Sequence, residues 1–193
     1  MAEANFNLVL DAEARFAAAD MQKRLGIPYI ELTRLYQLDK IKNQYTLFAA
    51  ALGSKFDDDD YFEEALAAKE AFKKKYPHAV FAIGEGCNAN AFELAFALIR
   101  YEFAVAEVFG NLSKEDFVYI EKMAKLSPET KIYSNLEPTM IYYEPGENPV
   151  DIVIGKDAAQ LEWSDDIQPF GYRGVKHFFE ECERVLELER GTN

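Results

Sequence analysis

Two cysteines, two histidines and one tryptophan are all that the 193 residues contain of those types. With thiols only at Cys87 and Cys182, the chain can build neither a disulfide framework nor a C-x-x-C motif. A structural zinc site has almost no ligands to draw on. A reducing cytoplasm is the simplest home for such a chain, and a cytoplasmic protein is the expectation. Basic residues are also scarce: 21 Lys and Arg stand against 34 Asp and Glu, a formal net charge of −13. Nucleic acid and anionic membrane both require a basic footprint, so neither is expected as a partner. No apolar run is long enough to span a membrane, and the Met-Ala-Glu-Ala start has neither the basic nor the apolar part of a signal peptide. There is no Ser-His-Asp ordering, no H-E-x-x-H and no Walker loop.

What is present is enough apolar material for a full core. Hydrophobic residues make up 49% and aromatics 14%, which excludes a disordered chain. Strands and helices alternate along it. NFNLVL (residues 5–10) reads as a strand, and the Ala-rich stretch after it as a helix closed by Gly26. IPYIEL (27–32) returns as a strand, because Pro28 forbids continuing the helix. A helix over 33–52 ends at Gly53. Asp57 to Asp60 open the next helix and Lys73 to Lys75 close it, charges that complement the macrodipole. That run reads as a solvated, capped helix, with a metal-binding Asp cluster as the alternative. From Pro77 the order is β-α-β-α-β: AVFAIG, AVAEVFG, KIYSN and VDIVIG are strands, and Ser113 with Asp116 caps the helix that follows AVAEVFG. The last helix repeats apolar residues at Val175, Phe178, Phe179, Cys182, Val185 and Leu186. The expected fold is α/β and Rossmann-like, a mostly parallel sheet with helices on both faces. Residues 1–55 are read as the end of a preceding α/β unit plus a connecting helix. Residues 56–193 are read as a C-terminal Rossmann-like domain with an N-terminal linking helix.

In an open parallel sheet, ligands bind at the carboxyl ends of the strands. The candidate binding residues there are Gly84, Glu85, Gly86, Cys87 and Asn88 after one strand, and Lys156 and Asp157 after another. Phe170, Gly171, Tyr172 and Arg173 join them from a 168–174 loop that opens the last helix. The 84–89 loop is formally G-x-G-x-x-A, the fingerprint of a turn that lays a pyrophosphate on a helix N-terminus. Two features disagree: Glu85 places a carboxylate where the pyrophosphate would sit, and Glu107 falls inside its strand rather than closing it. A dinucleotide site, a tight turn needing glycine, and a loop for another ligand all remain open readings. Solvated loop charges are the plain alternative for Lys156, Asp157 and Arg173. For Phe170 and Tyr172 it is a staple holding the last helix to the core. His78 reads as a surface residue, His177 as the rim of its helix, and Cys182 as core.

Four segments carry a resemblance. GIPYIEL resembles the G-I-P-[WY]-x-E stretch of the catalytic component (component 1) of nitrogenases. AIGEGCNANAFELA, PVDIVIGKDAA and PFGYRGVKHFFEE are similar to that family's final domain, in the same order, so that the likeness runs over residues 5–187. The resemblance implies the C-terminal part of an oxidoreductase whose pocket takes a metallocluster, a tetrapyrrole or another substrate. It also implies a homologous component 1 subunit as partner and an ATP-hydrolysing iron protein as electron donor. An iron–sulfur cluster or metal cofactor would belong to the full-length complex. The isolated chain is expected to hold none and to be inactive. Two departures stand out. The family's cofactor-holding cysteine falls near Leu10 and its histidine near Phe170, and neither residue can bind iron. A fragment of a longer chain is the expectation, with a short paralogue as the alternative. A non-catalytic scaffold or carrier for metal-cofactor assembly is the second functional reading, and a dinucleotide-binding domain the third.

Overall fold

The computed structural model describes residues 5–84, 89–134, 136–143, 150–155 and 170–191. The first part is a two-stranded parallel sheet of β1 (Asn7–Val9) and β2 (Tyr29–Glu31), joined through α1 (Arg15–Leu25). Gly26 ends α1 in the left-handed conformation, and its N–H donates to the Gln22 carbonyl, as its position after the Ala-rich run requires. Two helices follow, α2 (Leu38–Ala51) and α3 (Asp59–Lys75).

The expected 33–52 helix starts five residues late, at Leu38. Residues 32–37 lie outside the helix, and the N–H groups at its approach are claimed by distant partners. Tyr36 and Gln37 donate to the Glu93 carboxylate at 2.9 and 3.2 Å, and Leu38 donates to the Tyr101 hydroxyl at 2.9 Å. Helix N-termini leave such donors orphaned, and a tertiary carboxylate satisfies them here in place of a local cap.

The second sheet holds β3 (Val80–Ile83), β4 (Ala104–Phe109), β5 (Lys131–Tyr133) and β6 (Ile152–Ile154), all parallel, in the order β5-β4-β3-β6. Three helices belong to it: α4 (Ala91–Arg100), α5 (Phe117–Leu126) and α6 (Gly171–Gly191). The fold is thus α/β, with parallel sheets flanked by helices, the class the alternation predicts. Alternate positions along the strands divide the work. Phe81, Ile83, Val105, Val108, Ile152 and Ile154 are buried on one side, a register shift between Val105 and Glu107 bringing Val105 and Val108 opposite Phe81 and Ile83. Phe81 there meets Phe72 of α3 and Phe178 of α6, with ring centroids 6.3 and 6.4 Å apart. Phe72 and Phe179 are 5.6 Å apart, so α3, α6 and the sheet share one aromatic core. On the other side, Phe109 and Tyr133 stack at 5.0 Å and Tyr143 stands edge-on to both.

Two further expectations change at helix starts. Ser113 does not cap α5 with its side chain; its N–H donates to Asp116 Oδ2 at 2.8 Å, and the helix begins at Phe117. The loop expected over 168–174 becomes helix from Gly171 onward, because α6 packs its first turn on α2 and α3. Cys182 is buried in the core, and His78 is exposed and His177 half-buried. No helix among the described residues is long and apolar enough to cross a membrane.

Candidate functional site

The strand order fixes where ligands are expected. The chain runs β3, β4, β5 in one direction and then returns to place β6 on the far side of β3. The topological switch point, where ligands of such folds sit, therefore lies between β3 and β6. Their carboxyl ends are Gly84 and Gly155. The Gly84 N–H donates to the Ile154 carbonyl at 2.6 Å. A Cβ at Gly155 would lie 3.0 Å from the Gly84 backbone, and the φ of 110° there is a conformation that side chains disfavour. Glycine at 155 is what allows the two strand ends to touch. Glu85, Gly86, Cys87, Asn88, Lys156 and Asp157, the candidates that continue these ends, lie outside the described residues.

The remaining candidates gather at a second place. Phe170, Tyr172 and Arg173 line a cavity of about 530 Å³, together with Leu32, two residues of α2 and the 55–61 segment. Six rings form its wall: Tyr45, Phe48, Phe56, Tyr61, Phe170 and Tyr172. Tyr45 and Phe48 lie three residues apart on α2, so both project toward the same side. Tyr172 meets Tyr45 and Phe62 edge-to-face at 5.2 and 5.7 Å, and Phe48 meets Phe56 at 5.7 Å. The Arg34 guanidinium stands over the Phe170 ring at 5.2 Å. Gly171 has a φ of 61°, and a methyl group there would overlap the Tyr45 hydroxyl. Among the described residues, Gly84 and Gly155 meet each other, and neither lines this cavity.

One polar contact organises the cavity's floor. The Tyr172 hydroxyl, on a side chain 2% exposed, donates to Asp58 Oδ2 at 2.8 Å, and Lys42 Nζ donates to Asp58 Oδ1 at 2.8 Å. Burial pushes the Asp58 carboxyl up, but these two donors outweigh it and leave it below the ordinary range. Burial, reinforced by the Asp58 hydrogen bond, raises the Tyr172 phenol far above its usual value, so it stays a neutral donor. The Asp run is therefore not uniformly solvated as expected. Asp59 and Asp60 occupy the exposed first turn of α3; Asp58 and Asp59 both pair with Lys42 of α2, and Asp58 alone of the three also reaches Tyr172 of α6.

Several of these residues carried no legible signal. Tyr45, Phe48, Phe56 and Tyr61 are ordinary helix and loop aromatics until the fold brings them together. Glu93 was likewise unmarked. It is 1% exposed, and it accepts from Tyr36, Gln37 and the Gln37 side chain, the last at 3.0 Å. Asn90 caps α4 by accepting the Glu93 N–H at 2.9 Å, so the pair spells a capping box whose acid turns outward to another segment. Glu107, the acid a dinucleotide site would call on, is 7% exposed and already accepts the Tyr143 hydroxyl at 2.6 Å.

An iron–sulfur cluster does not fit the described residues. Among them, no group of three or more His, Cys, Asp and Glu side chains could hold a metal ion. Cys182 is fully buried, and burial raises its thiol well above the ordinary value, which opposes the thiolate that iron requires.

No family model matches this sequence, and no curated protein matches it. Among solved structures the chain is similar to nitrogenase Cp1 at pH 6.5, with a TM-score of 0.70 at 14% sequence identity. The superposition covers 97% of this chain and 46% of that one. The chain therefore has a nitrogenase-like fold and spans less than half the length of that nitrogenase chain. At this identity the likeness speaks for the fold alone.

Proposed function

We propose that the chain is the C-terminal part of a component 1-type, nitrogenase-like oxidoreductase, with residues 1–55 ending one α/β unit and 56–193 forming the final Rossmann-like domain. In that reading it works beside a homologous component 1 subunit and receives electrons from an ATP-hydrolysing iron protein. Its role is to shape the pocket in which the substrate is held, through the cavity at the start of α6 and the strand ends at Gly84 and Gly155. The observation that carries the reading is the nitrogenase-like fold over 97% of the chain. The sequence segments that resemble the family fall along that same length. Any metallocluster belongs to the larger assembly, since the described residues of this chain do not fit one, and no reaction step is assigned to them.

Anaerobic purification of the intact native protein, followed by iron analysis and identification of its partners, tests the reading. The expected result is co-elution with a homologous component 1-type chain, iron in the complex, and nucleotide-dependent association with an iron protein. A chain that delivers a metal cofactor to an acceptor, with no such association, would replace the reductase by a cofactor-assembly carrier. A chain with neither partner nor iron would end both.

A further inference from the structure

The cavity at the start of α6 has a composition that specifies more than a ligand site in general. Aromatic rings reach its wall from α2, the 55–61 segment and the start of α6, with Leu32 as the one aliphatic side chain. Aromatic rings favour a flat partner with a π-face over a flexible aliphatic chain. Its volume of about 530 Å³ lies in the range that holds small molecules and leaves room for a fused ring system against the wall.

Charge narrows the class. Four charged residues line the cavity: Lys55, Asp57, Asp58 and Arg173. The Asp58 carboxylate is occupied on both oxygens, by Lys42 and Tyr172. Among the described residues, no side-chain ion pair or hydrogen bond is made by Lys55 or Arg173, and Asp57 is the other charged residue of the lining without one. Two free cations at one aromatic cavity stand out on a chain whose net charge is −13. Such a chain repels anions generally, so an anion is recognised only where cations are gathered locally. Arg173 also offers a planar fork matched to a carboxylate.

Resting on the reading that this cavity is a ligand site, we propose that it takes a small planar aromatic carboxylate, of one or two fused rings. The rings lie against the aromatic wall, and the acid group is held by Arg173 with Lys55 beside it. Gly171 serves this arrangement by letting α6 begin close against the Tyr45 hydroxyl, which brings Arg173 to the cavity.

The test is fluorescence titration of the intact protein with 2-naphthoate, methyl 2-naphthoate and 2-naphthylmethylamine, three probes sharing one ring system and differing in charge. Saturable binding of the acid is expected, with the ester and the amine roughly 10-fold weaker or worse, as loss of a charge-assisted hydrogen bond implies. Arg173→Gln, at an exposed position, should weaken the acid by about 10-fold and leave the ester unchanged. Phe48→Ala should weaken both. If acid and ester bind equally and Arg173→Gln changes neither, the carboxylate assignment is overturned while the cavity remains a ligand site. Competition by inorganic phosphate as effective as by 2-naphthoate overturns the aromatic class. If none of the three probes binds to a protein with an unchanged circular dichroism spectrum, the cavity as ligand site falls as well.

Discussion

The Glu93 carboxylate accepts the Tyr36 backbone N–H at 2.9 Å, tying the first turn of α4 to the stretch that leads into α2. The sequence separation is 57 residues. A single buried acid thus joins the N-terminal sheet's exit to the helix that follows the Gly84 loop. Burial pushes Glu93 up to about 7, against the lowering effect of the Gln37 side chain and the Tyr36 and Gln37 N–H groups. The charged and titratable neighbours are Asp39, Arg100, Tyr101 and Tyr119.

A carboxyl whose folded value exceeds its unfolded value contributes stability that is complete below the unfolded value and is lost as pH rises through the folded one. For Glu93 that window runs from 4.5 to about 7. Unfolding free energy should fall by about 3 kcal/mol across it, because each pH unit inside the window is worth roughly 1.4 kcal/mol. Urea denaturation at a series of pH values measures this. Glu93→Gln should remove that component of the pH dependence; an unchanged profile would show that another group carries it.

Asp58 and Tyr172 form a pair with unequal consequences. Tyr172→Phe leaves Asp58 its Lys42 partner and should cost about 1 kcal/mol, the net worth of one hydrogen bond. Asp58→Ala strands a buried phenol, although Lys42 keeps its ion pair with Asp59, and should cost about 2 kcal/mol or more. Thermal melts of the two variants rank them, and the reverse order would mean the hydroxyl is not relying on Asp58.

Gly171→Ala should destabilise by about 1–3 kcal/mol, combining a left-handed φ with overlap at the Tyr45 ring. Removing the hydroxyl with Tyr45→Phe should recover part of the loss and leave the φ strain. A double-mutant cycle with no coupling between the two sites would contradict the contact.

No low-micromolar affinity for NADH or FAD is expected. Glu107 is engaged with Tyr143 inside β4, and the G-x-G-x-x-A run carries an acid, Glu85, in its sequence. Calorimetric titration decides it; a tight site abolished by Gly86→Val would restore the dinucleotide reading.

The strands, most of the helices and the α/β class were legible in local pattern alone. Period-2 and period-3.6 patterns are local, so AVFAIG, AVAEVFG and the Val175–Leu186 stripe could be read before any fold was known. Gly26 could be read for the same reason, since a helix end is decided within a few residues. Only the tertiary structure decided the late start of α2, because the donors of Tyr36 and Gln37 are satisfied by an acid 57 residues beyond Tyr36. It alone placed Asp58 under Tyr172, 114 residues apart, in a run read as a solvated helix start or a metal-binding Asp cluster. It alone collected rings from α2, the 55–61 segment and α6 into one cavity. Hydrogen bonds and cavities between distant segments have no local signature, since chain order leaves their partners unspecified until the layers pack.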